Sequence, residues 1–206
     1  MSALRVPDAA ERSDLGAFVA RVVRLDAAAI VRLRLGAGTV TAWASTPFDV
    51  LATRTVHGEL TPADLTVPAS ALLTALAVVR ADTVDPGTGG LWPGDLPPES
   101  GWSNVDVVPA AELEAVTERG LAVARENAGP LGPPASLLDQ TVLTVAGEGG
   151  SVKVPLRCLF ALSGMGFVGG PDDEPVRVAA TGSWLRLDAR YGAVVRRRLT
   201  ALPLLL

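Results

Sequence analysis

The chain has 206 residues and a formal net charge of −4, with 49% hydrophobic and 19% charged residues. That apolar content excludes a disordered chain, and the length makes one large domain or two small ones with a sizeable buried core. The longest uncharged run, Leu65 to Val79, would span only ~22 Å as a helix against a ~30 Å hydrocarbon core and contains Pro68, which excludes a membrane span. Arg5, Asp8, Glu11, Arg12 and Asp14 leave no room for an apolar leader, so no signal peptide is expected. The lone Cys158 excludes an internal disulfide and points to a reducing compartment, the cytoplasm by default. Arginine outnumbers lysine 17 to one and leucine outnumbers isoleucine 29 to one. GC-rich codons produce both biases, so arginine richness alone says little about phosphate binding.

Residues 8–25 predict an amphipathic helix, with Leu15, Phe18, Val19 and Val22 on one stripe. Val31, Leu33 and Leu35 then alternate with Arg32 and Arg34 as in a half-buried strand, closed by a turn at Gly36-Ala37-Gly38. Strands are expected at Thr39 to Ser45 and Phe48 to Val56, completing an antiparallel meander. A Val-Pro pair recurs at Pro68, Pro109 and Pro155, each time with a leucine four residues on: Leu72, Leu113 and Leu159. Proline suits the first helical position and keeps the preceding valine extended, so helices are expected at about 68–79, 109–127 and 155–164. Residues 81–105 hold five glycines, four prolines, Trp92 and Trp102. They read either as a strap pinned down by its tryptophans or as a mobile lid.

Beyond 128 the pattern predicts a hairpin around Gly147 to Gly150 and a last meander over 176–181, 183–189 and 193–200. The fold class expected is α+β, antiparallel meanders and hairpins packed with about four helices. It would form a single domain over 1–206 with lobes at about 1–80 and 106–206 joined by the loop 81–105. Leu137-Leu138-Asp139-Gln140, Val154-Pro155-Leu156-Arg157, Met165-Gly166-Phe167, Trp184-Leu185-Arg186-Leu187 and Tyr191-Gly192 resemble a family of conserved actinomycete-type proteins with no assigned activity. The resemblance covers about the last 70 residues best. It implies a bacterial cytoplasmic protein and carries over no catalytic residue.

No reaction signature is complete. His57-Gly58-Glu59 has the H-x-E half of a zinc deaminase motif but lacks its P-C-x-x-C cysteine pair. Cys158 sits in an apolar helix without a histidine, as an inert buried thiol does. The glycine clusters lack the order of phosphate loops, and Asp172-Asp173-Glu174 lacks the spacing of a calcium loop. No metal and no cofactor is expected.

Charge is segregated. Ala81 to Glu118 holds eight acids and no base, whereas Val176 to Thr200 holds Arg177, Arg186, Arg190, Arg196, Arg197 and Arg198 against Asp188 alone. The basic end either meets the acidic middle or binds phosphates. The net charge of −4 argues against the latter. Five leucines in the last eight residues suggest an interface. The sequence therefore favours a non-catalytic intracellular binding or interaction protein, self-associating as a homodimer, with no membrane partner and an unidentified protein or small-molecule partner. A nucleic-acid-binding module in the C-terminal arginine-rich meander ranks second. An enzyme using His57, Glu59 or Asp139 ranks third. Candidate binding residues are Trp92, Trp102, Trp184, Arg186, Arg190, Tyr191, Arg196, Arg197 and Arg198.

Overall fold

The structure is a computed structural model and describes residues 2–78, 81–130, 132–170 and 174–198. The terminal leucines Leu199 to Leu206 and the pair Asp172-Asp173 lie outside the described residues. In chain order the first half holds β1 (Ala3–Arg5), α1 (Ala9–Leu25), β2 (Ile30–Leu35), β3 (Thr39–Ser45), β4 (Leu51–His57), β5 (Glu59–Thr61), β6 (Asp64–Pro68), α2 (Ala69–Val78) and β7 (Thr83–Val84). The second half holds β8 (Ser103–Val108), α3 (Ala110–Glu126), α4 (Ala135–Leu138), β9 (Thr141–Gly147), β10 (Gly150–Pro155), α5 (Leu156–Gly164), β11 (Val176–Ala180), β12 (Trp184–Ala189) and β13 (Gly192–Arg197). The fold class is α+β.

The two predicted meanders join in one eight-stranded antiparallel sheet of order β6-β2-β3-β4-β13-β12-β11-β8. Their meeting line is β4 against β13, with Thr53, Ala52 and Leu51 opposite Ala193, Val194 and Val195. Smaller sheets flank it: β5-β1-β7 and the hairpin β9-β10. Helices pack on one face. The α1 stripe of Leu15, Phe18, Val19 and Val22 is buried as its spacing predicts, against Val31, Leu33, Val40, Ala42 and Ala44 in one core. Asp8 caps α1 by accepting from the backbone N–H of Ala10 and Glu11.

Each Val-Pro pair does turn from strand into helix. The proline stands one residue earlier than expected: Pro68 ends β6, while Pro109 and Pro155 are cap residues in extended conformation. Leu72, Leu113 and Leu159 are all essentially fully buried. The fourth strand begins at Leu51 rather than Phe48, because Asp49 adopts a left-handed conformation (φ 56°) that ends the turn first. The short strands β1, β5 and β7 and the single-turn α4 were not anticipated. They are too short or too polar to show a period. β6 and β8, by contrast, are the strands or extended segments expected before Pro68 and Pro109. Gly147 and Gly149 let the hairpin β9-β10 cross directly over β8, where a Cβ would collide with the carbonyl oxygens of Val105 and Asn104.

Candidate functional site

Strand alternation builds one continuous outer face on the side away from the helices. Arg32, Trp43, Thr53, Ala193, Asp188 and Arg177 are successive cross-strand partners and so point the same way. The segment between β7 and β8 crosses this face. Trp43, Trp184 and Val195 form a buried cluster against which Trp92, Leu96 and Trp102 of the segment pack. Trp102 donates its indole N–H to the Pro98 carbonyl (2.9 Å). Arg197 pairs with Asp95 (3.1 Å) and Arg34 with Glu99 (3.3 Å), one from each half of the sheet. The segment is thus a strap, fastened by rings and by ion pairs. Beneath it lie a cavity of about 490 Å³ floored by Thr41, Thr55 and Trp43 and another of about 680 Å³ between Ser45–Leu51 and the end of β13.

The arginines of the last meander do not form the single surface expected of them. Arg186 lies over the Trp102 ring and pairs with Asp188 (2.7 Å), which also takes Arg177. Arg197 lies over Trp184. Arg196, one residue earlier, necessarily faces the helices. It meets Asp139 (3.0 Å), as does buried Arg157 (2.8 Å), whose other arm donates to the Phe48 carbonyl (2.7 Å). Burial opposes ionisation of Asp139, but the hydrogen bond from Arg157 and the charges of both arginines hold its carboxyl below the usual range. Arg198 donates to the Thr181 carbonyl. Of the terminal arginines, Arg197 alone reaches the acidic middle segment among the described residues.

Arg190 and Tyr191 belong to a third place, the β12–β13 turn beside α1. Arg21 of α1 and Arg190 both lie over the Tyr191 ring, at 5.8 and 5.6 Å from its centroid. Arg24, one turn on, donates to the Gly164 carbonyl (3.2 Å). The carboxylates of α1 turn elsewhere: Glu11 to His57 (2.8 Å) and Asp14 to Arg54. Arg12, Arg21 and Arg24 have no ion-pair partner among the described residues. Sequence reading gave Arg12, Arg21 and Arg24 no role. The meeting of Arg21 with Tyr191, 170 positions away, has no local signal.

The enzyme candidates are not brought together. His57 bonds Glu11, Glu59 bonds Arg5, and Asp139 serves Arg157 and Arg196. Cys158 is fully buried, which pushes its thiol up to about 12. The hydrogen bond to Glu11 raises the His57 pKa. That stabilisation is present below about pH 6.5 and lost as pH rises through the raised value. A proton NMR titration is expected to show His57 above 6.5, returning towards it in Glu11→Gln. An unchanged titration in that variant would remove the pairing.

Residues 97–201, just over half of the chain, match the family described as Domain of unknown function (DUF8185). The chain belongs to that family. Residues 1–93 match a second description, Domain of unknown function (DUF8010). No curated protein matches the DUF8185 sequence. Among solved structures it is similar to the DNA polymerase sliding clamp from Caulobacter crescentus (17% identity, TM-score 0.59, 98% of this chain and 67% of that one). It is also similar to the DNA polymerase III subunit beta from Pseudomonas aeruginosa (14%, 0.59, 98% and 66%) and to the H. pylori beta clamp (11%, 0.54, 98% and 64%). The DUF8185 chain thus spans about two thirds of the length of these clamps, and at such identities the likeness is one of fold. It overturns the expected ranking of a plain homodimeric interaction protein above a nucleic-acid module. Net charge misled that ranking, because it is a sum over the whole chain and does not say where charges lie; the pairs of Asp82, Asp95, Glu99, Asp64 and Asp188 with arginines cancel within it. Among the described residues no helix is long and apolar enough to cross a membrane.

Proposed function

We propose that this chain is a clamp-like scaffold that associates with DNA along the side bearing α1, and that its copies associate with one another. The observation carrying this reading is the state of α1. Its acids are taken up by His57 and Arg54, leaving Arg21 and Arg24 without an ion pair among the described residues, with Arg190 (4.0 Å from Glu174) beside Arg21 across the Tyr191 ring, to face phosphates. The fold likeness to DNA polymerase sliding clamps over 98% of the chain supports it. A bacterial, cytoplasmic setting and an actinomycete source belong to the same reading, as does one folding unit made of both halves.

Fluorescence anisotropy with duplex DNA at low salt tests the proposal. Binding is expected to weaken steeply with salt. In the triple variant Arg21→Ala, Arg24→Ala, Arg190→Ala the logarithmic salt slope should fall by roughly 2.7, about 0.9 for each phosphate contact removed. No binding at low salt, or an unchanged slope in the variant, refutes the DNA assignment. Sedimentation showing a monomer at every concentration refutes the self-association.

A further inference from the structure

The side bearing the helices also carries a recess, whose rim shares Arg24 with the face assigned to DNA. α3 presents Leu121 and Ala124 one turn apart, and Ala124 and Ala128 are too small to fill the space beside α5. Phe48, Pro133 and Phe160 complete a cavity of about 370 Å³. Phe48 and Phe160 meet edge to face, 5.9 Å between centroids and 72° between planes. Gly164 leaves the mouth open; a Cβ there would already touch Leu25 and Phe48. Two hydroxyls line the wall. That of Thr117 is committed to the Leu113 carbonyl (2.6 Å), which leaves Ser163.

The charge at the mouth has one sign. Arg125 lines the recess and makes no ion pair among the described residues, while no carboxylate lines it. Arg24 reaches the same rim through its hydrogen bond to Gly164. An apolar hole of this size with guanidiniums at its entrance suits a hydrocarbon chain ending in an anion. An extruded nucleobase suits it poorly, because the polar edges of a base would lie against Leu, Ala, Pro and Phe with too few partners.

We propose that the recess between α3 and α5 binds one medium-length alkyl chain with an anionic head, a free fatty acid carboxylate. This goes beyond the DNA reading and stands whether or not DNA binds.

The test is calorimetric titration of the full chain with octanoate, decanoate and dodecanoate, each below its micelle concentration, and with dodecanol. Saturable one-to-one binding is expected. Affinity should rise about fourfold per added methylene until the chain outgrows the hole. Ala128→Trp, an exposed position at the mouth, should abolish binding, as should Leu121→Gln inside it. Arg125→Gln should weaken dodecanoate roughly two- to fivefold and leave dodecanol unchanged. Absence of saturable binding overturns the proposal. So does binding that ignores both Ala128→Trp and Leu121→Gln, or binding to anionic phospholipid vesicles with none to free dodecanoate. An unchanged dodecanoate affinity in Arg125→Gln overturns the anionic head.

Discussion

Asp139→Ala is expected to destabilise the chain by about 3 kcal/mol, with the midpoint of thermal unfolding falling by ~6–12 °C. The carboxylate answers two arginines, of which Arg157 is only 7% exposed. Removing it leaves Arg157 inside the fold with the Phe48 carbonyl and Asp49, 3.7 Å away and 83% exposed. Because Asp139 is itself 36% exposed, the cost falls at the low end for a broken buried pair. The pairing holds the Asp139 pKa down, so its contribution is present above about pH 4 and lost as pH falls through the depressed value. Urea unfolding at pH 7 and at pH 3 checks both statements. A loss that persists undiminished at pH 3 would show that the charge is not the cause.

The second large effect is expected from Trp184→Ala, again about 3 kcal/mol or more. Trp184 is buried between Trp43 and Val195, and the strap's rings lie against that cluster. Truncation removes the surface on which Trp92, Leu96 and Trp102 rest and the ring beneath Arg197. The strap should then detach before the sheet unfolds. Limited proteolysis reads this directly: cleavage between Gly87 and Gly101 is expected to accelerate well below the unfolding midpoint. Equal cleavage rates in both proteins would mean that the strap is held elsewhere.

Much of the architecture was written in local pattern. The α1 stripe, the alternation of β2 and the leucines following Pro68, Pro109 and Pro155 each specify an element and its buried side, because helix and strand periods act over a few residues. The joining of the two meanders through β4 and β13 was not legible. Thr53 and Val194 look like ordinary strand residues, and nothing local distinguishes a central strand that gains a neighbour from an edge strand that does not. The site was legible in part. The tryptophans of the 81–105 segment announced burial, and they do lie on the sheet. The arginines from 196 to 198 read as one basic patch, but successive strand residues face opposite ways, so Arg196 goes to Asp139 and Arg197 to Asp95. Arg21 and Tyr191 meet only in three dimensions. Net charge, a sum over the whole chain, carries no information on where its charges lie.

The strap also governs how quickly the two halves find each other. The seam between β4 and β13 is held by three register pairs, a short ladder for two separate chains to assemble in dilute solution. Joined by a connection of some twenty residues, the halves meet at an effective concentration on the order of millimolar, far above the concentration of any one protein chain in a test tube. Once the seam closes, Asp95 and Glu99 on the same connection reach Arg197 and Arg34 on opposite sides of it. Two co-expressed fragments divided within the strap are therefore expected to associate with a rate that depends on their concentrations, whereas the intact chain folds at a rate independent of its own.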